Sequence, residues 1–239
     1  MQLNANDVHI WSIDLSIISK QENQTLALLS ADETARAHRF HFPIHRERFV
    51  LARSALRQIL SLYLNIAPNK IEFFYTEYKK PYLNTSETIP LQFNLAHSHE
   101  MAVYAFTLNH AVGIDIEKMK EDYDAAVAKR YFSHQENEHL NQLPNRDKII
   151  GFYRLWARKE AVIKAAGKGL FIPLSSFSVS VEDKRETIVL ENEKWTLLSL
   201  DIHPAYQTAL ASNQNIKSIW YWRFFNQTPT LEKISKMSS

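Results

Sequence analysis

The chain has 239 residues, 45% hydrophobic and 23% charged, with a formal net charge of +2. That balance excludes a disordered chain, and the small charge gives no bulk attraction for nucleic acid. There is no cysteine, no basic-then-apolar leader and no apolar run near the ~20 residues of a membrane span, so disulfides and thiolate metal sites are excluded and a cytoplasmic protein without a membrane partner is expected.

In chain order, residues 7–13 (DVHIWSI) alternate and predict a first strand. Ser30 or Asp32 can cap a short helix within 29–40. Pro43 lacks only an N–H that a first helical turn leaves unpaired anyway, and it opens a long helix over 43–64. Phe49, Ala52, Leu56, Ile59 and Tyr63 recur at threes and fours and face a core. Arg46, Arg53 and Arg57 line another side, read as solvated at Arg46 and Arg57. A strand-like segment (70–76) and a loop (77–84) follow. In 91–106 the segment around Asn94, His97 and Ser98 reads as a loop and the last six residues as a strand, with VGIDIE from 112 expected as its hairpin partner. Residues 118–150 are polar and helical, and a second strong helix over 151–166 ends at Gly167 and Gly169. The remainder (FSVSVE, KWTLLSL, YQTALAS, IWYWRFF) predicts a strand-rich second half. Weak echoes between 51–57 and 156–162, and between 98–106 and 203–211, favour two similar halves, each a helix on a small antiparallel sheet.

Within GIDIE (113–117), strand alternation puts Asp115 and Glu117 on one face about 7 Å apart and the isoleucines on the other. Two such carboxylates repel unless a cation stands between them, and a hard ion such as Mg²⁺ suits oxygen ligands. On this segment alone a solvated strand is the simpler reading. The segment WARKEAVIKAAGKGL (156–170) shifts the balance. It places Trp156, Glu160 and Lys164 on one helical face, with Lys159 on the adjoining flank. A third carboxylate beside two ammonium groups suits a metal-bound phosphate, although an i,i+4 Glu–Lys pair on a solvated surface gives the same spacing. The pairs His97/His99 and His41/His45 lack a third ligand and carry no transition-metal site. The arginines of 36–57 form a local basic cluster, but the aromatics among them read as core, so no nucleic-acid partner is expected.

GIDIE, then W-x-x-K-E-A-x-x-K-x-x-G-x-G-L at 156–170, with FNLAHS (93–98), the stretch 32–57 and EYKKPYL (77–83), resembles the Sfp-type 4′-phosphopantetheinyl transferases over residues 8–180. The resemblance implies an α+β fold of two pseudo-symmetric halves with the active site in the cleft between them. It divides the chain into 1–112, which makes the coenzyme nucleotide contacts, and 113–239, which carries the metal and phosphate site. It implies transfer of the phosphopantetheine arm of coenzyme A to a serine of an apo acyl, polyketide or peptidyl carrier protein, with release of adenosine 3′,5′-bisphosphate. Asp115, Glu117 and Glu160 would hold Mg²⁺, and Lys159 and Lys164 would contact the phosphates. Arg48, Lys80 and His97 would take the 3′-phosphate end, with Asn94 a further coenzyme contact. Glu160 and Lys164 would be catalytic, Glu160 helping to deprotonate the carrier serine. Two halves in one chain complete a cleft, so a monomer is expected. Two departures stand out: Ala96 occupies a position usually serine, and Arg36 one often lysine. The competing readings are a Mg²⁺-dependent phosphohydrolase using the same acids and a non-catalytic coenzyme A or carrier-binding module.

Overall fold

In a computed structural model of the chain, residues 1–16, 25–83, 90–225 and 228–236 are described, so the last residue of the loop expected over 77–84 lies outside them. Strand β1 (Asp7–Asp14) turns Trp11 and Ile13 to one buried face and Val8 and Ile10 to the other. Ser30 and Glu33 form a capping box that starts helix α1 (Ala31–His38). Helix α2 (Pro43–Leu64) carries Pro43 in its first turn and ends at Asn65, whose φ of 55° is a left-handed conformation asparagine tolerates. Ala52, Leu56 and Ile59 are buried as the spacing predicts. Arg57 is not solvated. It donates to Glu33 Oε2 (2.6 Å) and to the carbonyls of Pro68 and Ile71, because the buried Glu33 carboxylate requires a cation.

Strand β2 (Phe73–Tyr75) is shorter than the predicted 70–76, since Pro68–Lys70 forms a 3₁₀ turn, and it pairs with β3 (Pro81–Leu83). The segment expected as a loop around Asn94 is itself strand β4 (Leu91–Ser98), which makes a hairpin with β5 (Met101–Leu108). The hairpin closes through His99, which takes φ 50°. Strand β6 (Val112–Lys118) is not the hairpin partner of β5; it pairs antiparallel with β9 (Tyr206–Ser212) in a second sheet. Ile114 and Ile116 pack face-on against Val103 and Ala105 of β5, so the two strands meet through side chains and not through a ladder.

Helices α3 (Ala125–Tyr131), α4 (His134–Gln142) and α5 (Asn145–Ala166) follow, α5 starting after Pro144, a turn and a half earlier than its apolar pattern predicts. The stretch 177–182, expected as a strand, has no ladder. Its Phe177 carbonyl and Val179 N–H are taken by the side chains of Lys159 and Glu136. Strands β7 (Glu186–Leu190) and β8 (Glu193–Leu200) complete a sheet ordered β6-β9-β8-β7. Strands β10 (Ser218–Phe225) and β11 (Thr228–Lys236) return to the first sheet, ordered β11-β10-β1-β5-β4, where β10 runs parallel to β1. By sheet membership the last strands therefore sit with the first half, although they follow the second in sequence.

The resulting α+β fold stacks four layers. Helix α2 covers the outer face of the first sheet through Leu56, Ile59, Trp11, Tyr104 and Phe106. The inner faces of both sheets meet through Val8, Ile10, Val103, Ile114, Leu198 and Leu210. Helix α5 covers the outer face of the second sheet through Ala161, Ala165, Leu197, Ala209 and Ala211. Among the described residues no helix is long and apolar enough to cross a membrane.

Candidate active site

Gly113 decides how closely α5 approaches β6. A Cβ at this position would lie 2.1 Å from the Ala161 carbonyl oxygen and 2.3 Å from the Ala165 amide nitrogen, so only glycine lets the helix backbone rest on the strand. The small residues Ala161, Ala165, Ala209 and Ala211 line the same contact. With the helix seated there, the alternation of β6 sends Ile114 and Ile116 into the inter-sheet core. Asp115 and Glu117 project beside Glu160 and Lys164, which lie one turn apart on α5.

Asp115 is buried, and Lys164 Nζ donates to its Oδ1 at 2.5 Å, while its Oδ2 is buried without a hydrogen-bond partner. Burial raises the Asp115 carboxyl above its ordinary range against the opposing pull of Lys164. Glu117 accepts a hydrogen bond from the Ser98 hydroxyl at 3.1 Å. Its carboxyl is pushed up to about 7, by burial first and then by the charge of Asp115 and, more weakly, Glu160. Glu160 is raised as well, by burial and by Asp115, with Lys164 working the other way. The Lys164 ammonium loses hydration on burial, yet its pairing with Asp115 and Glu160 holds it above its usual range. One ammonium thus faces three carboxylates in a desolvated setting, a charge deficit that a divalent cation would relieve.

Among the described residues no three His, Asp or Glu side chains already stand arranged to hold a metal ion. The donor set nevertheless fits a hard cation in type and charge: three carboxylates, one of them offering an unpaired buried oxygen, and no sulfur or imidazole among them.

Profiles of two families match the chain: the 4′-phosphopantetheinyl transferase superfamily over residues 111–213, and the 4′-phosphopantetheinyl transferase N-terminal family over residues 16–109. The 4′-phosphopantetheinyl transferase HetI of Nostoc sp. is 37% identical over 202 residues, covering 84% of this chain and 85% of that protein. The 4′-phosphopantetheinyl transferase Sfp of Bacillus subtilis is 30% identical over 199 residues, covering 82% and 87%. The chain belongs to the 4′-phosphopantetheinyl transferase family. Among solved structures, the holo-[acyl-carrier-protein] synthase of Thermotoga maritima aligns at 21% identity and a TM-score of 0.29, over 45% of this chain and 65% of that one. The competing readings, a phosphohydrolase or a non-catalytic binding module, find no support among these relatives.

The remaining residues singled out from sequence divide into two groups in the transferase. His97 is exposed on β4 and close enough to feel the charges of Lys164, Arg36 and Asp115. Partial desolvation, then Lys164 and Arg36, hold its imidazole below the usual range. Arg48 on α2 is paired with Glu100, its Nη2 donating to Glu100 Oε1 at 2.8 Å. Lys80 sends its ammonium to the carbonyls of Val112, Lys164 and Ala165, and burial lowers its pKa to about 8. Asn94 is buried, and its Oδ1 accepts from the Ile114 N–H at 2.9 Å, so it ties β4 to β6.

Lys159 points away from the Asp115, Glu117 and Glu160 carboxylates, into a buried ion pair of its own. It is fully buried, donating to both oxygens of Glu136 (2.6 and 2.7 Å) and to the Phe177 carbonyl. One helical position from Glu160 is a rotation of about 100°, and that rotation turns its side chain toward Glu136 of α4 and Phe177. Sequence reasoning missed three groups. Glu136, which binds Lys159, is signalled only by a capping box at Ser133. Ser98 lies in a segment that reads as a loop, and nothing in that reading marks it as the partner of Glu117. Glu100, in the β4–β5 turn, is held well below the carboxylate range at about 2 by its hydrogen bond from Lys118, with Tyr206 and Arg48 assisting. This last cluster joins α2 and the first sheet to β6 and β9 beside the site.

Proposed function

We propose that the transferase moves the 4′-phosphopantetheine arm of coenzyme A to a serine hydroxyl of an apo carrier protein, with Mg²⁺ held by Asp115, Glu117 and Glu160. The observation that carries this reading is Asp115, buried with one oxygen on Lys164 and the other without a partner, beside two carboxylates whose ionisation is suppressed. When bound, the metal would neutralise pyrophosphate oxygens and the charge that builds on the leaving group. The protein supplies the rest. Asp115 and Lys164 fix one another, so the ammonium is aimed at the phosphate oxygens before substrate arrives. Ser98 orients the Glu117 carboxylate. Glu160 accepts the serine proton as the hydroxyl attacks the β-phosphorus, and adenosine 3′,5′-bisphosphate departs with the electron pair of the broken P–O bond.

The coenzyme lies between the halves in this reading. His97 and Arg48 from the first half face the nucleotide phosphates, and the second half, 113–239, carries the metal and reacting phosphates. The carrier comes from fatty acid, polyketide or nonribosomal peptide assembly. The enzyme works as a cytoplasmic monomer without nucleic acid or membrane. Incubation with coenzyme A, Mg²⁺ and a panel of apo carriers is expected to add the mass of one phosphopantetheine arm to at least one of them. Failure with every carrier, type I and type II alike, contradicts the proposal.

A further inference from the structure

The turn between β2 and β3 is closed by three hydrogen bonds: Thr76 N–H to the Lys80 carbonyl (3.0 Å), Lys79 N–H to the Thr76 carbonyl (2.9 Å) and Lys80 N–H to Thr76 Oγ1 (3.1 Å). Lys79 adopts φ 63° to make that closure. The turn aims the Lys80 side chain across to the second half. Its Nζ there donates to the carbonyl oxygens of Lys164 (2.7 Å), Ala165 (3.3 Å) and Val112 (3.3 Å). The first two are among the carbonyls that the end of α5 leaves without an intrahelical partner. The neighbouring Ile163 carbonyl is taken by the N–H of Gly167, whose φ of 82° ends the helix. The third belongs to the residue before Gly113. One ammonium, with three N–H groups, therefore meets three backbone acceptors at the negative end of a helix.

A lysine bonded in this way has no hydrogen left for a phosphate. The residues it holds are the ones that set the site: the backbone of Lys164, whose side chain binds Asp115, and the start of β6, three residues before Asp115. We infer that Lys80 is a positioning residue that clamps the end of α5 to the start of β6, and not a ligand of the coenzyme phosphates. Lys80 acts through Lys164 and Asp115, and the inference rests on the transferase reading of that pair.

The test compares the wild type with Lys80→Met, which keeps the aliphatic stem and removes the ammonium, using coenzyme A and 3′-dephospho-coenzyme A as alternative donors. A positioning role predicts a fall in kcat of about tenfold or more with both donors, and a KM for coenzyme A within about threefold of wild type. It also predicts faster amide exchange across residues 163–168 in the protein without coenzyme. A phosphate ligand would instead raise KM for coenzyme A, lose that effect with the dephospho donor and leave exchange in the free protein unchanged; this outcome overturns the inference. A lowered Tm with unchanged kcat overturns it too, since Lys80 would then be merely structural. If Lys80→Met does not fold, Lys80→Gln, which retains two donors, is read by the same criteria. Absence of transfer by the wild type refutes the transferase reading alone, and the exchange measurement still decides where the ammonium acts.

Discussion

Lys164 holds one oxygen of Asp115 and leaves the other buried without a partner, while burial and neighbouring charge keep Glu117 protonated to about pH 7. Metal binding at such a site must therefore expel a proton. At pH 6.5 Mg²⁺ binding is expected to release roughly half a proton or more from Glu117, and close to none at pH 8.5, where that carboxyl is already ionised. Calorimetric titrations in buffers of different ionisation enthalpy count the protons directly; equal release at both values would count against the assignment. His9 makes a separate prediction. It is buried, its Nδ1 lies 2.7 Å from the Tyr63 hydroxyl, and desolvation lowers its pKa from 6.5 to about 4. Between those values the unfolded chain binds a proton that the folded chain refuses. His9 thus favours folding fully above pH 6.5, and as pH falls toward 4 that share is lost, up to about 3 kcal/mol. Urea unfolding at pH 7.5 and 5 should show the loss, and His9→Gln should flatten the slope.

The meeting of β6 and α5 depends on the absence of one methyl group, at Gly113. Gly113→Ala forces a Cβ into the Ala161 carbonyl and the Ala165 amide, backbone atoms that cannot rotate away. The expected cost is about 3 kcal/mol or more, read as a lowered Tm, with residual activity falling further than stability because Asp115 shifts from Lys164. An unchanged Tm would show that the helix does not rest on the strand. Much of this element was legible: glycine before the carboxylates, the alternation of β6, and the placing of Glu160 and Lys164 one turn apart. Lys159 was not. Its helical position does not reveal the buried ion pair it forms with Glu136, 23 residues away. The same holds for Arg57, whose helical position looks solvated until Glu33 is folded against it. Local periodicity states which face a side chain occupies, and a buried ion pair is a property of two faces.

Across the whole molecule, the halves are joined by strands that leave and return. Helix on sheet was readable from 43–64 and from 151–166, but the pairing of β6 with β9 and of β10 with β1 links residues about a hundred and two hundred apart, which no local pattern encodes. The strand alternation of IWYWRFF marked β10 without naming its neighbour. Because β1 is flanked by β10, a chain ending at Lys217 leaves Val8 and Ile10 packed but exposes the ladder of β1 along one edge. That truncated chain is expected to aggregate or to lose cooperative unfolding, as scattering and urea titration would record; a soluble, two-state fragment with full activity would contradict this placement of the last strands.

If Asp115, with Glu117 and Glu160, holds the metal on which transfer depends, intact-mass measurement of carrier loading against Mg²⁺ concentration should separate the wild type from Asp115→Asn. The wild-type rate is expected to saturate with Mg²⁺, and the rate to fall by about a hundredfold or more in a variant that stays folded. A variant within about threefold of the wild-type rate at every Mg²⁺ concentration would contradict it.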